Sequence, residues 1–239
     1  MKFFHAADIH LGAEPDKGFP WSKERGQEIW DSFRRLIRQA GEEKAGLFLI
    51  AGDLFHRQPL MKELKEVNYL FSTIPDTKVV LIAGNHDYLK RESYYLRFPW
   101  AENVFCLWGD QEPCVEFPDL GTAVYGISYD RKEITDPLYH HIRPQRRQPL
   151  EILLAHGGDR THIPFDRSVL EQAGFSYVAL GHIHKPETLV KDKIAYAGAL
   201  EPIDKNDLGP HGYIKASGSM GQSGRNSFRQ PAALISCCP

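Results

Sequence analysis

The chain has 239 residues, of which 42% are hydrophobic and 25% charged, and this is enough for one large α/β domain with a substantial core. Its 29 basic and 31 acidic residues give a formal net charge of −2, so whole-chain charge gives no support for a general electrostatic grip on nucleic acid. With no signal peptide, no apolar run near the ~20 residues of a membrane span and no zinc-type cysteine spacing, we expect a soluble, cytoplasmic protein with reduced thiols and no membrane partner.

Amphipathic segments alternate with short apolar runs along the chain. The first helix is predicted within 25–46, where Gly41 or Gly46 can end it, and further helices are predicted over about 61–74 and about 166–173. The apolar stripe of the first helix consists of Ile29, Phe33, Leu36, Ile37 and Ala40. A first strand is predicted at the start of the chain, MKFFHAADIH, and the later apolar runs are LFLIAGD, VVLIAGNHD, TAVYGISY, EILLAHGG and YVALGHIH. Near-continuously apolar strands separated by helices predict an α/β fold whose sheet is covered on both faces.

Two regions depart from this pattern. Residues 131–149 form a long polar connection that is net basic, and residues 216–239 lose all periodicity and become rich in Gly and Ser. We therefore predict one domain over 1–215 and a tail over 216–239 that is disordered, truncated or miscoded. Basic residues in the connection, together with Arg57, Lys90 and Arg91, are candidates for DNA contact, with an ordinary solvated surface as the alternative.

Five of the predicted strands end in oxygen or nitrogen donors. The donors are Asp8 and His10 in ADIH, Asp53 and His56 in GDLFH, Asn85, His86 and Asp87 in GNHD, His156 after EILLA, and His182 and His184 in GHIH. Ligands of α/β sheets bind at the carboxyl ends of strands. Residues two apart in an extended strand point the same way, so Asp8 with His10, and His182 with His184, are each predicted to face one cavity. The glycines in AGD, AGN and LGH allow the close approach that such a cavity needs.

This donor set points to metal binding. Imidazoles, carboxylates and an amide without a thiolate suit manganese, iron or zinc, and seven ligands suggest two ions that share Asp53 as a bridge. Taken singly, Asp8 or Asp53 is more often a helix N-cap, and a lone histidine is more often a core or turn residue. Those alternatives would have to hold at five strand ends separately. TAVYGISY is a useful contrast, because it is a similar strand that ends without histidine.

The ordered motifs D-x-H, G-D, G-N-H-D, a lone histidine and G-H-x-H resemble those of the calcineurin-like metallophosphoesterases over roughly residues 1–200. The flanking text HAADIHLG, AGDLFHRQPL and VALGHIHKPE resembles the DNA double-strand-break-repair exonuclease branch, of the SbcD and YhaO-like type. The resemblance implies a two-layer sheet sandwich flanked by helices, with a dinuclear site, commonly of manganese, at the carboxyl ends of the strands. It implies one ion on Asp8, His10 and His184, one on Asn85, His156 and His182, and Asp53 as the bridge.

The resemblance also implies catalytic roles. His86 would face the scissile phosphate with Asp87 as its orienting neighbour, and His56 matches a second active-site histidine of this branch, a surface-loop residue being the alternative. We predict in-line attack on a DNA phosphodiester by a hydroxide that bridges the two ions. The alternatives are a phosphatase or phosphodiesterase acting on a small nucleotide or phosphoprotein, and a non-catalytic scaffold. An SbcC-like ATPase partner is in doubt, because the capping domain and docking segment of the branch have no counterpart here.

Overall fold

The structure is a computed structural model that describes residues 1–108, 114–219, 227–229 and 235–236. Its three α-helices within these residues are α1 (Ser22–Glu42), α2 (Met61–Ser72) and α3 (Arg167–Gln172). The described strands are β1 (Lys2–Ala6), β2 (Leu47–Ala51), β3 (Lys78–Ile82), β4 (Val104–Cys106), β5 (Cys114–Phe117), β6 (Thr122–Gly126), β7 (Leu150–His156), β8 (Tyr177–Gly181), β9 (Glu187–Val190), β10 (Ile194–Tyr196), β11 (Gly212–Ser219), β12 (Ser227–Arg229) and β13 (Ile235–Ser236).

These strands form two sheets. The first has the order β12-β11-β1-β2-β3-β4, with β13 also paired to β11. In it β1 to β4 run parallel, and β11 is antiparallel to β1. The second sheet has the order β5-β6-β7-β8-β10-β9, with parallel strands inside and antiparallel strands at both edges. The carboxyl ends of β1, β2 and β3 therefore share one edge of the first sheet, and those of β7 and β8 share one edge of the second.

The two sheets pack face to face and are covered on their outer faces. Phe3 and Leu49 of the first sheet share a buried cluster with Ile152 of the second. Phe4 points the opposite way, because side chains alternate along a strand, and it packs in the cluster that contains Phe33 of α1. Residues of α3 and of the connection before β7 cover the second sheet. This arrangement confirms the predicted fold class, two sheets flanked by helices.

A buried histidine joins the two sheets. His5 lies on β1 with its Nδ1 3.1 Å from the Tyr177 hydroxyl oxygen and its Nε2 3.1 Å from the Leu180 carbonyl oxygen, both on β8. A carbonyl oxygen only accepts, so Nε2 carries the hydrogen and Nδ1 accepts from the tyrosine. Burial lowers the pKa of His5 to about 3, because the surrounding protein cannot solvate a charged ring.

The predicted helices and central strands are present. The residues of the predicted apolar stripe are all buried in α1, which ends at Glu42, next to the first of the two glycines proposed as its stop. Among the described residues Cys106 and Cys114 are free thiols, while Cys237 and Cys238 lie outside the described part of the chain. None of the described helices is both long and apolar enough to cross a membrane.

The start of the predicted tail lies inside a strand. β11 continues to Ser219, and Ala216 and Ser217 pair with Phe3 and Lys2 of β1. Backbone pairing with β1 places these residues in the sheet although their side chains show no strand periodicity. This corrects the boundary predicted after residue 215. Of the remaining tail, only the short strands β12 and β13 are described, and the other predicted tail residues lie outside the described residues.

Candidate metal centre

The predicted donors meet just past the ends of the strands, where the backbone turns. Asp8, His10 and Asp53 have positive φ angles of 48°, 52° and 51°, and His182 has a φ of 94°. The backbone N–H of Asp8 donates to the Gly52 carbonyl at 3.2 Å, and that of His10 donates to the Asp53 carbonyl at 3.0 Å. The chain segments after β1 and β2 therefore stay bound to each other while their side chains turn over the edge of the sheet.

Two glycines allow these loops to approach one another. A β-carbon built on Gly52, which has a φ of +85°, would lie 2.4 Å from Nδ1 of His156. One built on Gly84 would lie 2.2 Å from Oδ1 of Asp53. Neither position has room for a side chain, so the predicted need for glycine in AGD and AGN is confirmed as a steric one.

A first group of donors consists of Asp8, Asp53 and His156, all fully or almost fully buried. One ligand atom from each lies within 4.8 Å of the others. Nδ1 of His156 donates to the Ala51 carbonyl at 2.8 Å, so in the neutral ring Nε2 is the nitrogen with the lone pair. That Nε2 lies 3.4 Å from Oδ2 of Asp53 and 2.9 Å from Oδ1 of Asn85.

A second group consists of Asp8, His10 and His184, and meets the same 4.8 Å limit. Nε2 of His10 lies 3.2 Å from Nε2 of His184 and 3.7 Å from Oδ2 of Asp53. Two imidazole nitrogens at this separation must share a proton or a cation between them. Asp8 belongs to both groups, and Asp53 reaches a histidine of each, so the two groups form one continuous cluster.

The remaining predicted ligand lies on the far side of Asn85. Nδ1 of His182 is 3.1 Å from Oδ1 of Asn85, the same oxygen that faces His156. The backbone N–H of His182 donates to Oδ2 of Asp8 at 2.9 Å. Burial lowers the pKa of His182 to about 4, with His156 adding to the effect. All seven residues predicted as metal ligands are thus brought to one place.

His56 and His86 border the cluster and are half-buried. Nδ1 of His56 lies 3.3 Å from Nδ1 of His10, and the three histidines form a further group of possible donors. The backbone N–H of His86 donates to Oδ1 of Asp53 at 2.9 Å, and its ring Nδ1 donates to the His56 carbonyl at 3.0 Å. The position of the His86 ring is therefore fixed by Asp53 and His56.

Asp87 lies behind this loop and is fully buried. Its Oδ1 accepts from the Gly84 N–H at 2.8 Å, and its Oδ2 accepts from the Phe55 N–H at 3.1 Å and the Tyr95 hydroxyl at 2.9 Å. None of the hydrogen bonds found for its carboxylate in the described residues reaches the His86 ring. Asp87 holds the backbone of the GNHD loop, a different contact from the direct neighbour that the sequence predicted.

The electrostatics of the cluster favour bound cations. Burial raises the pKa of Asp8 to about 6, whereas for Asp53 the effect of burial is outweighed by His156 and His10, which hold its pKa well below the usual range. Burial lowers the pKa of His156, but Asp53 and Asp8 outweigh it and raise that pKa to about 9. Buried charges persist in proteins when they are paired or coordinate metals. The donor chemistry, imidazole and carboxylate with one amide oxygen, fits divalent transition-metal ions.

Two carboxylates in contact with the cluster were not singled out from the sequence. Asp159 lies 2.8 Å from Nε2 of His182, and Asp207 lies 3.0 Å from Nδ1 of His184. Asp159 follows His156 by three residues in AHGGD, so its nearness to a strand end was a usable signal. Asp207 lies in a loop after the last predicted ligand, and no motif marks it.

Comparison with known proteins supports this picture. The family model described as calcineurin-like phosphoesterase matches residues 1–186. The chain is 30% identical over 224 residues to the DNA double-strand break repair protein Mre11 of Methanocaldococcus jannaschii, which covers 87% of this chain and 58% of the relative. It is 29% identical over 236 residues to the uncharacterized metallophosphoesterase YhaO of Bacillus subtilis, covering 89% and 56%. It is 28% identical over 239 residues to the Mre11 protein of Saccharolobus solfataricus, covering 90% and 58%. The chain therefore spans a little over half the length of these relatives.

Proposed function

Because the chain belongs to the calcineurin-like phosphoesterase family, we propose that it is a metal-dependent phosphodiester hydrolase whose substrate is DNA. The observation that carries this proposal is the convergence of seven donors from five strand ends on one cluster, with His56 and His86 at its border. The names of the relatives from M. jannaschii and S. solfataricus support DNA repair as the setting. Manganese is the proposed metal, with iron or zinc as alternatives.

We propose two ligand sets that share one carboxylate. In this assignment Asp8, His10 and His184 hold one ion, Asn85, His156 and His182 hold the other, and Asp53 lies between them. The distances support this division, since Asn85 Oδ1 is 2.9 Å from His156 Nε2 and 3.1 Å from His182 Nδ1, while His10 and His184 face each other at 3.2 Å. Two bound divalent ions would activate a water at neutral pH and neutralise the oxygens of a phosphodiester.

The residues of the chain would orient the substrate and move a proton. With Nδ1 of His86 donating to the His56 carbonyl, its Nε2 is the ring nitrogen left to meet a substrate oxygen. A protonated His86 could donate from Nε2 to the leaving oxygen, the general-acid role that typically contributes 10²–10⁴-fold to a rate. Asp87 supports this geometry by holding the backbone of the loop at Gly84.

A basic cleft beside the cluster supports a polymeric substrate. The cleft measures about 380 Å³ and is lined by His56, Arg57, Gln58, Asn85, His86, Tyr88, Lys90 and Lys132. Arg57 is bound by both of its terminal nitrogens to Glu63, at 2.9 and 3.0 Å, so its charge is largely compensated. Lys90 and Lys132 are exposed at the mouth of the cleft and can meet the phosphates of a nucleic-acid strand.

Two further proposals concern the setting of the protein. We propose a cytoplasmic location, and an SbcC-like ATPase partner stays a prediction.

The decisive experiment compares substrates and metals with the purified chain. Labelled double-stranded DNA should be degraded when manganese is supplied, and the activity should disappear in a chelator-treated sample and return when manganese is restored. A nucleotide monoester, tested under the same conditions, should be hydrolysed much more slowly. Faster turnover of the monoester than of DNA would favour the small-substrate phosphatase. No hydrolysis of either substrate in the reconstituted chain would overturn the enzymatic proposal.

A further inference from the structure

The two histidines of the GHIH motif use opposite ring nitrogens toward the cluster. His182 directs Nδ1 to Oδ1 of Asn85 at 3.1 Å, whereas His184 directs Nε2 to Nε2 of His10 at 3.2 Å. Each ring therefore has its other nitrogen on the outside, Nε2 in His182 and Nδ1 in His184. A neutral imidazole has one N–H and one lone pair. To bind an ion through its inner nitrogen, His182 must therefore carry its hydrogen on Nε2, and His184 must carry its hydrogen on Nδ1.

A carboxylate meets the outer nitrogen of each ring. Oδ2 of Asp159 lies 2.8 Å from Nε2 of His182, and Oδ2 of Asp207 lies 3.0 Å from Nδ1 of His184. A carboxylate only accepts hydrogen bonds when ionised, so each contact places the hydrogen on the outer nitrogen and leaves the lone pair on the inner one. The two contacts select the two tautomers that the proposed ligand sets require.

Both carboxylates are anchored to the backbone. Oδ1 of Asp159 accepts from the N–H groups of Thr161 at 2.8 Å and His162 at 2.9 Å. Oδ2 of Asp207 accepts from the N–H of Ile203 at 3.1 Å. These bonds tie each carboxylate to its own loop, so its position relative to the imidazole is set by the backbone and not by a freely rotating side chain.

We propose that Asp159 and Asp207 are positioning residues and that each serves one of the two ions. Asp159 orients His182 and Asp207 orients His184, in each case by accepting a hydrogen bond from the outer ring nitrogen. The inference rests on the proposed two-metal function, but it concerns how this chain fixes two of the ligands. Such outer carboxylates orient a metal-binding imidazole and raise its basicity, and their removal typically costs 10–100-fold in metal affinity. The loss should be confined to one ion in each case.

The test is a titration of the full chain with Mn²⁺ in the absence of DNA. Electron paramagnetic resonance measures the concentration of free Mn²⁺ at each step. The wild-type chain should bind two ions. Asp159→Ala and Asp207→Ala should each weaken one ion by about 10–100-fold and leave the other at wild-type affinity. Asp159→Asn and Asp207→Asn should recover most of the lost affinity, because an amide oxygen still accepts from the imidazole N–H. Asp76 is an exposed carboxylate at the opposite end of β3, so Asp76→Ala is the matched control and should bind Mn²⁺ like the wild type.

Combined variants identify which ion each carboxylate serves. In a His184→Ala chain the strongly held ion should be the one on His182, so adding Asp159→Ala should weaken it and adding Asp207→Ala should not. In a His182→Ala chain the dependence should be reversed. If the carboxylate only stabilised the fold, its removal would weaken metal binding in both backgrounds. Circular dichroism of the metal-free chains checks the fold. If an alanine variant does not fold, the leucine variant at the same position, which is close in size to aspartate and also lacks an acceptor, gives the same comparison in the two histidine backgrounds.

Three results would overturn the proposal. The first is unchanged binding in both alanine variants, and the second is equal weakening of both ions by either variant. The third is a wild-type chain with three ions that falls to two in Asp159→Ala, since Asp159, His162 and His182 lie close enough to hold an ion themselves. Hydrolysis is measured separately. A chain that binds two ions in the predicted pattern without cleaving DNA would sink the proposed function and leave the positioning roles standing.

Discussion

His56 and His86 lie beside the proposed ligands but outside both proposed ligand sets. Each is linked to the cluster, His86 by its backbone N–H to Asp53 and His56 by its ring to His10. Their half-buried rings also line the cleft in which Lys90 and Lys132 are exposed. A side chain that faces both the proposed metal ligands and the cleft is well placed to act on a substrate, and removing it should separate chemistry from metal binding.

His86→Ala should therefore retain both ions and lose most of its turnover. The ring supplies no ligand in the proposed sets, while the loss of a general acid typically costs 10²–10⁴-fold. Elemental analysis of the dialysed variant should give wild-type metal content, and the rate of DNA cleavage should be measured on the same sample. Unchanged turnover would refute the role of His86. A loss of metal would instead move it into the ligand set.

Asp53→Ala, unlike His86→Ala, should lose bound metal as well as turnover. Oδ2 of Asp53 lies 3.4 Å from Nε2 of His156 and 3.7 Å from Nε2 of His10, so its removal takes an oxygen away from both proposed ligand sets. Metal content after dialysis should fall for both ions, and turnover should fall with it. Asp119→Ala, an exposed carboxylate beside the amino end of β6, should keep wild-type metal content. Two retained ions in Asp53→Ala would show that Asp53 is not the shared ligand.

At the scale of the elements, periodicity predicted α1, α2 and the central strands, because burial of one stripe or of whole apolar runs leaves a strong pattern. The pairing of β1 with β11 was not predictable, since it joins residues more than 200 apart whose side chains carry no pairing signal. The clustered donors could be recognised in the sequence because they lie at or just after the ends of the strands. The argument from strand alternation was wrong for both pairs of donors. β1 ends at Ala6 and β8 at Gly181, and the chain then turns with φ angles of 48° at Asp8, 52° at His10 and 94° at His182. Asp207 was missed because its contact with His184 is tertiary.

The link between β1 and β8 through His5 predicts a pH dependence of stability. The pKa of His5 is about 3 in the folded chain and about 6.5 in the unfolded one. Between these values the unfolded chain binds a proton that the folded chain excludes, so the free energy of unfolding falls as the pH falls, by about 1.4 kcal/mol per pH unit from this group alone. Above about pH 6.5 the ring is neutral in both states and contributes no slope.

His5→Gln isolates this contribution. Its amide can still donate to the Leu180 carbonyl and accept from the Tyr177 hydroxyl, but it does not titrate. We expect a lower free energy of unfolding at pH 7, from imperfect packing, and a shallower decline between pH 6 and pH 4 than in the wild type. Urea unfolding of the metal-free chains at several pH values measures both quantities, and all other titrating groups are common to the two proteins. Equal slopes would show that His5 is not excluded from protonation in the folded chain.

At the scale of the whole molecule, the formal charge of −2 and the basic cleft have to be reconciled with the proposed DNA substrate. Two divalent ions would change the total from −2 to +2, and all of that change would fall at the cluster next to the cleft. The positive potential is then local and depends on bound metal, in contrast to a protein with a basic surface throughout. Adding manganese should therefore raise the DNA affinity of the wild-type chain. The same addition should raise the DNA affinity of the Asp53→Ala chain by less.

Lys90 and Lys132 provide the test of the cleft itself. The double charge reversal Lys90→Glu with Lys132→Glu should weaken DNA binding and flatten its salt dependence, because each lost phosphate contact removes about 0.9 from the slope of log affinity against log salt. Lys23→Glu with Lys65→Glu makes the same change in net charge on the exposed faces of α1 and α2 and should leave that slope near the wild-type value. Fluorescence anisotropy of labelled duplex DNA at several salt concentrations, with a chelated sample beside the manganese one, measures both pairs. If the two pairs flatten the slope equally, only net charge matters and the DNA does not lie in this cleft.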